Sequence, residues 1–142
     1  MRPHVELIQE SDLVWHPAEL TRGEGKARQR NLSYDEENGG ASTRVVFETA
    51  WSRPAGYHHG DVEWYVMSGQ LKIGERLSGK GGYFRAPAGL RIPAIQVAAG
   101  TDVLIFREFG DWGFSVSAKN RSRFVARGGN TASDEQGELV IV

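Results

Sequence analysis

Residues able to do chemistry gather in one run, Gly56-Tyr57-His58-His59-Gly60-Asp61-Val62-Glu63. Imidazole titrates nearest to neutrality and ligates metals, so histidines beside acidic residues offer proton transfer or ion binding. Charges in or beside apolar strands add a second prospect. Among Glu48, Arg85, Arg91, Arg107 and Glu108, an arginine could recognise a carboxylate at a cavity rim, although exposed edge charges are commoner. His4 and His16 lie in a polar N-terminal stretch and promise no chemistry. Cysteine is absent from the chain, which removes disulfides, thiolate metal sites and thiol nucleophiles together. There is no phosphate-cradling glycine motif followed by Lys-Ser or Lys-Thr, no Gly-x-Ser-x-Gly elbow and no dinucleotide fingerprint.

The elements that must position this run read as strands. From Thr43 to Trp51 the sequence alternates, with Val45, Phe47 and Thr49 on one face. A loop with Pro54 and Gly56 follows, then a strand from Val62 to Ser68 ending at Gly69. On it Val62, Trp64 and Val66 share one face and Glu63, Tyr65 and Met67 the other. Gln70 to Ile73, the Gly74-Glu75 turn and Arg76-Leu77 form a hairpin. Tyr83-Phe84-Arg85, Ile92 to Val97 and Val103 to Phe109 continue the series, and Leu139 to Val142 is a terminal apolar strand. That last strand must pair on a free sheet edge or cross to a partner chain. The 18 glycines are about twice the usual share and mark the turns. Strands recurring every eight to twelve residues or so are the pattern of a sandwich or barrel.

With 142 residues and 25% charged side chains, one globular core is the expectation. The net charge of -1 gives no drive toward nucleic acid or anionic membrane, and the basic cluster Lys119, Arg121, Arg123 and Arg127 lacks a stacking platform beyond Phe124. No apolar run reaches the length of a membrane span. A soluble, cytoplasmic protein is expected.

The segment from Gly56 to Gly69, with Tyr83-Phe84-Arg85-Ala86-Pro87-Ala88-Gly89 after it, resembles the cupin superfamily. It is most similar to the small single-domain branch like the cupin half of ChrR-type anti-sigma factors. The resemblance implies an all-β jelly-roll barrel with a cavity between two sheets. It implies one domain over 1–142, with a core at about 43–110, an irregular N-terminal approach over 1–42 and a C-terminal extension over 111–142. The family's metal site uses three histidines and a glutamate to hold a divalent Fe, Mn, Ni, Cu or Zn. In the ungapped register those four positions fall on Gly56, His58, Val62 and Ile92, so one ligand of four survives. In a looser register His58, His59 and Glu63 would be the ligands, but adjacent histidines point to opposite faces of an extended chain.

The site is therefore expected to be degraded, with no metal required. His58 is then an acid/base or ligand-orienting imidazole, or a histidine bonded to a neighbouring loop. His59 reads as an exposed loop residue and Glu63 as a solvent-facing charge. Trp64 either stacks on a planar ligand or fills space left by missing ligands. Gly56, His58, Val62, Trp64, Val66 and Ile92 are the expected lining of a small-molecule cavity. Tyr65 and Trp112 are candidates for a subunit contact in a homodimer. The reading is a small-molecule-binding cupin that is either a metal-independent lyase or isomerase using His58 or a binding protein. A metal-dependent dioxygenase and a regulatory sensor like the ChrR cupin half are the alternatives.

Overall fold

A computed structural model describes residues 10, 13–18, 20–34, 37, 40–107, 113–117, 125–127, 131–134 and 137–142, with backbone alone for 125–127, 131–134, 137 and 138. Among them no α-helix forms, and no helix is long and apolar enough to cross a membrane. The strands are β1 His16–Pro17, β2 Ala27–Tyr34, β3 Ala41–Phe47, β4 Trp51–Arg53 and β5 Gly56–His58. They continue as β6 Val62–Ser68, β7 Gln70–Ile73, β8 Arg76–Gly79, β9 Tyr83–Ala86 and β10 Ile95–Val97. The series ends with β11 Asp102–Arg107, β12 Phe114–Val116, β13 Val125–Arg127, β14 Thr131–Asp134 and β15 Gly137–Ile141.

The large sheet runs β1-β2-β3-β11-β6-β9-β15-β14-β13, a second β4-β10-β7-β8, and β12 pairs with β5. Non-sequential neighbours such as β3, β11 and β6 are the crossovers of a jelly roll. Side chains from both larger sheets join one core, including Val45, Phe47, Trp64 and Phe84 from one and Trp51, Ile73 and Ile95 from the other. Trp64 sits at its centre, with ring centroids 6.1 Å from Phe47, 6.2 Å from Trp51 and 5.5 Å from Phe84. Gly69 turns the chain from β6 to β7 at φ 86°, where a Cβ would also press on Thr101.

The strand expected over Val62 to Ser68 and the hairpin after it are found with those bounds or nearly so. Three expectations are corrected. Within the N-terminal approach, Ala27–Tyr34 is not irregular but forms an eight-residue strand paired to β3. The strand expected from Thr43 to Trp51 breaks after Phe47. Thr49 lies exposed in a bend, its hydroxyl receiving the Lys26 amide at 3.0 Å, and Trp51 begins a strand of the other sheet. The strand expected from Ile92 begins only at Ile95, since Pro93 has no amide to donate to a ladder. The terminal strand stays within its own large sheet, with Val140 opposite Arg85 and Ile141 opposite Phe84 of β9.

Candidate functional site

Four elements converge on one end of the barrel because each alternates. In β4 Trp51 and Arg53 are buried and Ser52 is exposed; in β5 Gly56 and His58 are buried around a half-buried Tyr57. Val62 and Trp64 face inward from β6, and Arg107, the last residue of β11, stands opposite Val62. Together Arg53, His58, Val62, Trp64 and Arg107 line a recess of about 10 Å³. An adjoining cavity of about 500 Å³ shares Thr21, Arg107 and Gly113 with the recess, and Gln29, Thr43, Val45 and Ile105 line it further in. Its size is that of ordinary small-molecule pockets.

The recess is electrostatically unusual. Arg53 is 4% exposed and His58 5%, and the Arg53 Nη2 lies 3.0 Å from His58 Nε2. A guanidinium can only donate, so Nε2 accepts and the ring proton belongs on Nδ1. That Nδ1 and the Arg53 Nε are both buried without a hydrogen-bond partner. Burial, then the charges of Arg53, Arg107 and His59, hold the His58 pKa well below its ordinary value, so the ring is neutral. Burial and the neighbouring Arg107 bring Arg53 down to about 9, and burial brings Arg107 to about 10. Both guanidiniums therefore stay protonated at neutral pH. Phe114 supports the pair, its ring centroid 3.9 Å from the Arg53 Cζ and 5.1 Å from the His58 ring, edge-on to the latter.

The donor set does not fit the metal implied by the cupin resemblance. Gly56, Val62 and Ile92 bring no ligand atom, and the His58 nitrogen that would face an ion faces a guanidinium instead. The looser set does not converge either. His59 is exposed with a ring nitrogen 2.8 Å from Ser115 Oγ, while Glu63 accepts a hydrogen bond from Tyr83 and lies 3.6 Å from Arg85. Among the described residues no three histidine, aspartate or glutamate side chains are grouped to hold an ion.

The other expected residues fall as follows. Gly56, Val66 and Ile92 are buried but line neither the recess nor the larger cavity. Gly56 and Ile92 bond to each other through their backbones, and a Cβ on Gly56 would run into the Ser115 carbonyl and the Phe114 ring. Trp64 packs in the core and also lines the recess. Of the suspected charges, Glu48 is exposed and Arg85 pairs outward with Asp61 and Glu63. Arg91 is half-buried, and among the described ones Arg107 alone borders the recess and cavity. His16, expected to be silent, lines the 500 Å³ cavity. Tyr65 is exposed. His4, Glu108, Trp112, Lys119, Arg121, Arg123 and Phe124, and the side chain of Arg127, lie outside the described residues. Sequence reasoning missed Arg53. Its signal was the two-residue spacing from Trp51, too short a run to betray a strand.

A protein-family model described as a domain of unknown function, DUF4437, matches residues 6–134. The chain belongs to the DUF4437 family. No curated protein matches this DUF4437 chain. Among solved structures it is similar to a protein assigned as a dioxygenase from Nostoc punctiforme, with TM-score 0.68 and 21% identity over 81% of the chain. The chain spans only 42% of that protein's length. It also resembles the polyketide cyclase RemF from Streptomyces resistomycificus, with TM-score 0.60, 14% identity and coverage of 83% of this chain and 89% of that one. An RmlC-like cupin protein from Ralstonia eutropha gives TM-score 0.60 at 16% identity, covering 82% and 76%. At such identities the likeness shows the cupin jelly-roll fold of this DUF4437 chain and leaves its chemistry to its own residues.

Proposed function

We propose that this chain is a small-molecule-binding cupin whose ancestral metal site is degraded, and that His58 serves metal-independent proton transfer of the lyase or isomerase kind. The observation that carries this is the Arg53–His58 pair in a recess beside a 500 Å³ cavity. A fixed cation stands against the one ligand-type nitrogen, and a neutral imidazole whose acceptor nitrogen is released can take a proton from a bound substrate and return it. The cupin neighbours support small-molecule binding at this level, since one is a polyketide cyclase and another is assigned as a dioxygenase.

Metal analysis of protein purified without chelator tests the reading. Far less than one transition metal per chain is expected, with little thermal stabilisation by added Fe, Mn, Ni or Zn, since a real site would stabilise the fold by mass action. One tightly held ion per chain, lost in His58→Ala, would overturn it in favour of the dioxygenase. Ligand binding without turnover would leave a sensor like the ChrR cupin half.

A further inference from the structure

Arg53 is a buried cation with no anionic partner among the described residues. It is 4% exposed, and among the described residues its one polar side-chain partner is the neutral His58 ring and its Nε has none. Burying a charge is costly unless an opposite charge or a full set of hydrogen bonds compensates it. A second guanidinium, Arg107, borders the same recess. We infer that Arg53 and Arg107 receive the carboxylate of a short-chain hydroxy or oxo acid, with one carboxylate oxygen in the recess and the rest of the molecule in the adjoining cavity.

The dimensions select this ligand class. A recess of about 10 Å³ has room for about one water-sized group, which suits a single oxygen of the ligand. A planar guanidinium fork matches a planar carboxylate. Beyond Arg107 the cavity offers the hydroxyls of Thr21 and Thr43 and the amide of Gln29 beside apolar Val45 and Ile105. Those groups suit a short carbon chain bearing a hydroxyl or carbonyl oxygen. This inference rests on the metal-free reading above and adds a consequence to it. When Arg53 donates to the carboxylate, the His58 Nε2 lone pair is released toward the substrate.

Formate and acetate are the probes, because each can place one carboxylate oxygen in the recess and the rest in the adjoining cavity, with formamide, acetamide and inorganic phosphate as controls. The readout is the His58 imidazole signal by nitrogen NMR on the full chain. Saturable shifts are expected with formate and acetate at millimolar concentrations, and none with the amides. The His58 titration should move up, since an anion offsets the charges of Arg53, Arg107 and His59. Arg53→Met should weaken acetate binding at least about tenfold, the scale of one charged hydrogen bond, and Arg53→Lys less so. Equal binding of amides or phosphate, no saturable response to formate, or unweakened binding in a folded Arg53→Met would each overturn the carboxylate assignment. The acid-against-amide comparison needs only the natural chain, so a misfolded variant does not blunt it. Amides binding as well as acids would leave the small-molecule cavity standing. A metal ion at His58 would instead remove the reading beneath it.

Discussion

Burial, with the nearby charges of Arg53, Arg107 and His59, keeps the His58 ring neutral in the folded chain. That ties stability to pH in a definite direction. With the folded pKa below the unfolded one, the unfolded chain binds more protons as pH falls below about 6.5, so stability is lost there and is full above it. The slope from one such group is at most about 1.4 kcal/mol per pH unit. His58→Gln, whose amide oxygen can still accept from Arg53, is expected to flatten the urea-midpoint profile between pH 7 and 5. An equally steep profile in the variant would place the acid sensitivity elsewhere. The same residue shows what a sequence discloses at this scale. Strand parity and the cupin register were enough to turn His58, Val62 and Trp64 inward, and a charge at the end of an apolar strand was enough to suspect Arg107. Arg53 and Phe114 escaped because each sits on a three-residue strand, where no alternation can be read.

At the scale of elements, legibility followed the core. β6 and β11 pack apolar side chains on the core at every second position, so their period is plain. β2 reads Ala-Arg-Gln-Arg-Asn-Leu-Ser-Tyr and has no apolar period, because its Gln29 faces the 500 Å³ cavity and not packed side chains. On its outer side Arg28 and Arg30 lie 4.8 and 4.2 Å from the Trp15 ring. The strand was hidden by the polar cavity it walls. β15 is the opposite case, apolar and visible, with Leu139 3% and Ile141 9% exposed. It joins β14 and β13 to the large sheet through β9, and Val142 and Tyr83 exchange two backbone bonds at 2.7 and 3.0 Å. Removing Leu139 to Val142 deletes two buried aliphatic side chains, worth about 3–6 kcal/mol together. Urea denaturation of the truncated chain should show that loss; an unchanged midpoint would mean that the strand contributes no stability.

Across the whole molecule, the jelly roll divides into a packed side and a hollow side. β3, β6 and β11 each have a strand hydrogen-bonded on both flanks and supply Val45, Phe47, Trp64, Val66, Val103 and Ile105 to the core. β2 has the two-residue β1 on its outer flank, breaks register between Asn31 and Ser33 and contributes only Ala27 to the buried core. Segments with few buried apolar contacts open at lower free energy than the whole fold. Native-state hydrogen exchange should therefore separate the two sides. Amides of β3, β6 and β11 are expected to exchange only through global unfolding, with rates that climb steeply with added urea. Amides by which β2 bonds to β3 should exchange faster, through an opening almost insensitive to urea because little apolar surface is exposed by it. Such an opening would uncover the cavity bordered by Gln29, Thr43 and Arg107, giving a small acid a way in without disturbing the Trp64 core. Acetate at saturating concentration should then slow β2 exchange more than that of β6. If β2 and β6 instead exchange with one free energy and one urea slope, the cavity wall is as firm as the core, and the ligand must enter elsewhere.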